Sequence, residues 1–291
     1  MKKKVIALLL VSILTMGLLS GCSKDEATTP DPTPTPTPEP AALITVKVGA
    51  TAKPHAEILE VIKPIVADQG IDLSIETFTD YVLLNPSLKD GQVQANFFQH
   101  IPYLDEYNAK NNADLVWIAK VHNEPMGIYS KSKTSLEDIE KGLLVGIPND
   151  ATNGGRALMV LEAAGLITLK DGAGITATVN DVVDNPNSIR ITMMDSAMLP
   201  RALEDTAFCV INSNYALDAG LNPVIDSLFM EPKDSPFANI LAVRPADAAD
   251  PNIQIIVQAL QSQAVYDFLE ANYPGSCVPA FDLPEAAAPA K

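Results

Sequence analysis

The 291-residue chain carries 36 acidic against 20 basic side chains, a formal net charge of −16, and is 47% apolar. So acidic a chain has no basic face with which to neutralise phosphates, which excludes nucleic acid as a partner. The length allows two globular lobes once an N-terminal segment is set aside. No cluster among its three cysteines and three histidines has zinc spacing, so no metal or cofactor is expected.

The first residues read as a secretory signal spanning 1–21. Lys2, Lys3 and Lys4 precede an apolar stretch from Val5 to Leu19. Leu19-Ser20-Gly21-Cys22 resembles the lipobox of bacterial lipoproteins, which implies cleavage before Cys22 and lipid on its thiol. A plain signal peptide with a chance cysteine, or an uncut anchor, is the alternative. Residues 22–42 form a linker in which Pro30, Pro32, Pro34, Pro36, Pro38 and Pro40 alternate mostly with Thr. Alternating prolines favour polyproline II, so about 20 residues at ~3.1 Å each reach roughly 60 Å.

From Leu43 strand and helix patterns alternate. Ile44–Val48 reads as a strand, followed by a helix from about His55 with Ile58, Leu59, Ile62, Ile65 and Val66 on one face. Ile71–Phe78 and Val93–Phe98 are further strands, with Tyr81 in the loop after the first. Pro102 stands near the start of the helix opened by Gln99–Tyr103. Leu115–Val121 is a fourth strand, and Met126–Ser130 a fifth that crosses into a second lobe. This alternation implies mostly parallel sheets covered by helices.

Leu143–Ile147 is a short apolar strand, and Pro148–Arg156 the turn after it. Asn153 reads as the N-cap of the following helix, with Gly154 and Gly155 leaving the first amides open. Arg156 then falls in the first turn, where the helix dipole disfavours a cation unless a bound anion neutralises it. The ordinary alternative is an arginine that reaches solvent or pairs with a surface carboxylate. Ile189–Met193 and Phe208–Ile211 are strands, the latter ending at Asn212, and Met198–Leu203 is a helix. Ser235–Asn239 precedes the strand Ile240–Val243. Asp250-Pro251 caps a long final helix with a stripe of Ile253, Ile256, Val257, Leu260 and Ala264. Cys209 and Cys277 fit either one bridge or two buried thiols.

Polar and aromatic residues recur where strands end: Tyr81, then Phe98, His100 and Tyr103, then Asn153 and Arg156, then Asn212, then Asn239. Open α/β sheets bind ligands at the carboxyl ends of their strands. Each residue alone has an ordinary explanation, as a rim tyrosine or a capping His or Asn; the case rests on their sharing one edge. Together they suit a small zwitterion with an apolar tail. Arg156 takes a carboxylate, Asn oxygens accept from an ammonium, and the aromatic residues wall a tail to which sulfur–aromatic contacts contribute ~0.3–1.5 kcal/mol. No Gly-x-Ser-x-Gly elbow is present.

Pro54–Glu60, Phe78–Val82, Ala95–Leu104, Pro148–Arg156, Val210–Asn212 and Ser235–Asn239 resemble, in order and spacing, the signatures of the methionine-binding lipoprotein family. These are the NlpA-type substrate-binding proteins of methionine ABC importers. The resemblance covers about residues 44–281. It implies an α/β, two-lobed periplasmic-binding-protein-like fold of type II, with two mixed, mostly parallel sheets joined by a hinge. Lobe 1 would comprise 43–127 plus 240–291 and lobe 2 128–239. It implies an aromatic side-chain pocket at Tyr81, Phe98, His100 and Tyr103, a carboxylate-binding Arg156, and head-group contacts at Asn153, Asn212 and Asn239. The implied protein is lipid-anchored through Cys22 on the outer face of the cell membrane. It performs no covalent chemistry, and its partners are methionine and an importer permease with its ATPase. Leu84, where the family often has Pro, and Met193–Met198 depart from the pattern. They leave L-methionine, D-methionine and methionine peptides open, and a surface-interaction lipoprotein without transport is the reading from another class.

Overall fold

The computed structural model describes residues 42–137, 139–233 and 235–283. The signal segment, Cys22 and nearly all of the linker lie outside these residues. β1 (Ile44–Thr51) runs into α1 (Glu57–Ala67), which buries Ile58, Leu59, Ile62 and Val66 along one stripe. β2 (Ile71–Phe78) then pairs with β1 in parallel over its whole length. A short helix not foreseen, α2 (Leu84–Lys89), follows, with Pro86 in its first turn, where no intrahelical N–H bond is lost. β3 (Ala95–His100) lies parallel to β1 and is buried at every position, as a strand covered on both faces must be. α3 (Ile101–Asn111) is capped by His100, and β4 (Val116–Asn123) completes the first pass.

The chain then builds a second sheet. β5 (Gly127–Tyr129) and β6 (Leu144–Pro148) lead to α4 (Ala151–Ala163) and a small antiparallel pair, β7 (Thr168–Leu169) and β8 (Val182–Asp184). β9 (Arg190–Met194), α5 (Leu199–Ala202), β10 (Phe208–Ile211), α6 (Ser213–Asp218), α7 (Pro223–Asp226) and β11 (Ser227–Met230) follow. The return strand β12 (Ala238–Val243) enters the first sheet, succeeded by α8 (Pro251–Leu260), α9 (Gln263–Asn272) and β13 (Val278–Pro279). The sheet orders are β13-β4-β12-β3-β1-β2 and β11-β5-β10-β6-β9.

Both sheets are mixed, as expected, and most strands of each run in one direction. β1, β2 and β3 are parallel, as are β6, β9 and β10, while β12, β4 and β13, and likewise β5 and β11, pair antiparallel. The cause is topological: the chain changes sheets twice, and β12 inserts between β3 and β4 from the cleft end. Gly127 pairs in the second sheet, whereas Ala238 and Asn239 pair in the first, opposite Asn123 and His122. The changes of sheet therefore fall within 124–126 and 231–237. The apolar run Ile240–Val243 showed only part of β12, which begins at Ala238 and is buried throughout. The final helix is also interrupted. Gln261 leaves helical geometry at φ −101 and ψ 30, and the buried stripe resumes at Val265 rather than Ala264.

Each lobe has its own core. Val48, Leu59, Phe97, Leu241 and Leu260 belong to the first; Ile128, Val145, Leu161, Phe208 and Val210 belong to the second. A third cluster joins them, with Tyr81, Leu84 and Phe98 packed against Tyr129, Leu199, Ile211 and Tyr215. The lobes are closed on each other. Cys209 and Cys277 are both buried free thiols. Among the described residues no helix is long and apolar enough to cross a membrane.

Candidate functional site

The strand-end residues meet at the junction of the lobes. All eight predicted residues line one cavity, together with Gln99, Glu124, Ser213 and Asn214. Its first-lobe wall is aromatic. The rings of Tyr81 and Phe98 lie 5.5 Å apart, Tyr81 and Tyr103 5.9 Å, and Phe98 and Tyr103 5.7 Å, mostly edge to face. Beneath them Gln99 exchanges amide hydrogen bonds with Asn85 at 2.8 and 2.7 Å, so its side chain supports the strand end. Tyr81 also donates to Asn214 Oδ1 of the other lobe at 2.6 Å.

The turn before α4 differs from its sequence reading. Asp150, not Asn153, is the N-cap: its carboxylate accepts from the Asn153 amide at 2.8 Å. Both residue types suit a cap, and the helix begins after the earlier one. Arg156 consequently sits in the second turn, beyond the dipole argument made for the first. The glycines serve close packing rather than anion approach. A Cβ on Gly155 would stand 2.0 Å from the Ile175 carbonyl oxygen, and one on Gly154 3.0 Å from that of Pro148.

Arg156 is buried and already paired, though with no surface carboxylate. Its Nε lies 3.2 Å from both oxygens of Glu231, and Nη2 donates to Glu231 Oε2 at 2.5 Å and to the Glu124 carbonyl at 2.8 Å. The guanidinium carbon lies 4.3 Å from the centre of the Phe237 ring. Nη1 has no hydrogen-bond partner among the described residues. The protein thus orients the fork from behind, leaving one edge for the cavity.

Asn153 is more fully used. Its Oδ1 accepts from Asn212 Nδ2 at 2.9 Å and pairs with His100 Nε2 at 3.1 Å, while its Nδ2 donates to Asp150. His100 Nδ1 accepts from the Tyr103 amide, so Nε2 carries the proton that bridges the lobes. Burial, aided by Arg156, lowers the His100 pKa to about 3 and keeps the ring neutral. His100 therefore caps a helix and lines the cavity at once. Asn212 Oδ1, in contrast, is buried without a partner among the described residues, an acceptor left over.

Asn239 does not offer its oxygen to the cavity as expected, because His55 Nε2 approaches Asn239 Oδ1 at 3.1 Å. Nearby, Glu124 Oε1 lies 2.7 Å from His122 Nε2 and 3.3 Å from His55 Nε2. Burial would raise the Glu124 pKa, but His55, His122 and Arg156 outweigh it and hold the carboxyl below its ordinary value. His55, His122 and Glu124 could hold an ion only by spreading. Tetrahedral ligand atoms at zinc bond lengths stand about 3.3 Å apart, so the 2.7 Å pair is a hydrogen bond. Arg156 and Glu231 cancel, leaving the charge of Glu124, so the cavity accommodates a cationic group beside the arginine.

Glu124 and Asn214 were legible in principle, since each follows a strand at the same edge. Glu231 carried no local signal, standing 75 residues from Arg156 in sequence. Known proteins share this arrangement of chain and sheets. The profile of the NlpA lipoprotein family matches residues 46–281. The membrane lipoprotein TpN32 of Treponema pallidum is 41% identical over 79% of this chain and 86% of its own. The D-methionine-binding lipoprotein MetQ of Escherichia coli is 39% identical over 80% and 87%. A nutrient binding protein from Burkholderia cenocepacia, solved bound to methionine, is 39% identical, covers 81% of this chain and all of its own, and superposes with a TM-score of 0.79. The chain belongs to the NlpA lipoprotein family.

Proposed function

We propose that the protein is an extracytoplasmic, lipid-anchored solute-binding protein that captures methionine between its lobes and delivers it to an ABC importer permease with its ATPase. One observation carries this reading: a closed interlobe cavity sets an aromatic wall opposite a pre-oriented guanidinium edge and unpaired acceptors. The thioether tail packs against Tyr81, Phe98 and Tyr103, and the carboxylate meets Arg156 Nη1. The ammonium is taken by Asn212 Oδ1 and the charged Glu124. Asn153, with its carboxamide spent on protein partners, supports Asn212 and His100 rather than touching ligand. The protein does no covalent chemistry; capture and release through lobe opening are its whole cycle.

Methionine-bound and D-methionine-named relatives support the ligand class. The detergent-extracted protein, denatured to release what co-purifies, should yield methionine by mass spectrometry, with chiral separation assigning the enantiomer. A co-purifying ligand lacking an amino-acid head group would sink the reading. Anchoring is tested apart: Cys22→Ala should leave the membrane fraction, and unchanged retention would point to an uncut signal.

A further inference from the structure

The Asn239 amide is held from behind by a residue that does not line the cavity. His55 is buried where β1 passes into α1, its ring edge-on to Phe97 at 4.7 Å. Its Nε2 faces two acceptors at once, Asn239 Oδ1 at 3.1 Å and Glu124 Oε1 at 3.3 Å. A nitrogen between a carboxylate and a second oxygen must carry the proton. Nδ1 is then the lone-pair nitrogen, and the Thr51 hydroxyl, 2.8 Å away, donates to it. Turning the Asn239 amide over would set its NH₂ against the Nε2–H, donor against donor. Burial, together with His122 and against Glu124, lowers the His55 pKa to about 4, so the neutral ring persists at neutral pH.

We propose that His55 is a positioning residue for ligand recognition. Its Nε2–H pins the Asn239 carbonyl toward the protein, so that Asn239 meets the ligand as an amide donor to the carboxylate, not as an acceptor for the ammonium. The proposal rests on the amino-acid reading above. It divides the head-group site by chemistry: Asn239 and Arg156 donate to the anionic end, Asn212 and Glu124 accept from the cationic end. His122, on the same Oε1 of Glu124, leaves Oε2 for the ammonium.

The test is titration calorimetry on the full chain in detergent, dialysed free of ligand, as wild type, His55→Leu, His55→Gln, Asn239→Ala and the His55→Leu/Asn239→Ala double variant. His55→Leu should weaken L-methionine about tenfold, the effect of an orphaned buried hydrogen-bonding group. His55→Gln, which can carry a donor near the Nε2 position, should recover most of that. In the Asn239→Ala background His55→Leu should cost less than about threefold, because its effect passes through Asn239. 3-(Methylthio)propylamine, which lacks the carboxylate, should also lose less than about threefold. Equal losses in both backgrounds, or for both ligands, would overturn the proposal. Nitrogen-15 imidazole spectra of the unliganded wild type should show the Nε2–H tautomer; the Nδ1–H tautomer would overturn it without reference to any ligand. Failure of wild type to bind any amino acid would instead sink the functional reading and the carboxylate role with it, while the tautomer still decided whether Asn239 is pinned.

Discussion

The two walls of the cavity differ in how far the protein itself has satisfied them. On the first-lobe side Tyr81, Phe98 and Tyr103 meet ring to ring and present apolar faces that need no partner. On the second-lobe side Arg156 is bound through Nε and Nη2, and Asn153 is bound at both ends of its carboxamide. Buried polar groups need partners whether or not a ligand is present. A polar side chain in a cleft can therefore meet a ligand only through atoms left over, which on this wall, among the described residues, are Arg156 Nη1 and Asn212 Oδ1.

The largest expected effect separates scaffold from contact in the polar wall. Arg156→Ala leaves Glu231 buried without its cation and should cost ~3–5 kcal/mol of stability, as should Glu231→Ala. The same Arg156→Ala change should weaken methionine roughly 30- to 5,000-fold. Arg156→Met combined with Glu231→Leu should regain stability in urea unfolding without regaining affinity. Were the double variant to bind within about threefold of wild type, Arg156 would be scaffold alone and the contrast between the walls would collapse.

The aromatic wall should respond differently. Phe98 is 3% exposed, and Phe98→Ala should destabilise by roughly 3 kcal/mol through the cavity it leaves. Methionine affinity should fall more than alanine affinity, because the lost contacts are to the tail. A parallel fall for both ligands would mean that Phe98 shapes the cleft rather than reads the side chain.

Sensitivity to pH should belong to the histidines on the first-lobe side. Folding lowers His55 to about 4 and His100 to about 3, against an unfolded value near 6.5. Between these values the unfolded chain binds more protons, so stability is present at neutral pH and is lost as pH falls below about 6.5. From pH 7 to pH 5 the loss should be roughly 1–2 kcal/mol per histidine. His100→Gln should flatten that slope in urea titrations, and an unchanged slope would show that His100 does not carry it.

The smallest effect probes the seam between the walls. Tyr81→Phe removes the donor to Asn214 Oδ1 while keeping the ring, and should cost ~1 kcal/mol. Because that bond joins the lobes, the unliganded variant should show a larger radius of gyration by small-angle scattering. Identical scattering from variant and wild type would remove the bond from any role in closure.

Much of this protein was legible without coordinates. Strand and helix periods are local, so the element order and the α1 stripe followed from apolar spacing. The rule that α/β sheets bind at the carboxyl ends of strands gathered Tyr81, Phe98 and Asn212 into one cavity, whereas Asn239, at the amino end of β12, shares that edge because β12 runs antiparallel to β3. Only the tertiary structure decided which atoms of those residues are free. Asp150 and Asn153 are both good caps, and the helix starts after Asp150, with Gly155 seated where a Cβ would meet the Ile175 carbonyl. The partner of Arg156 arrives on the return segment from β11 to β12, and the orientation of Asn239 is set by His55, 184 residues away. Hydrogen-bond saturation depends on neighbours in space, and one-dimensional spacing holds no record of them.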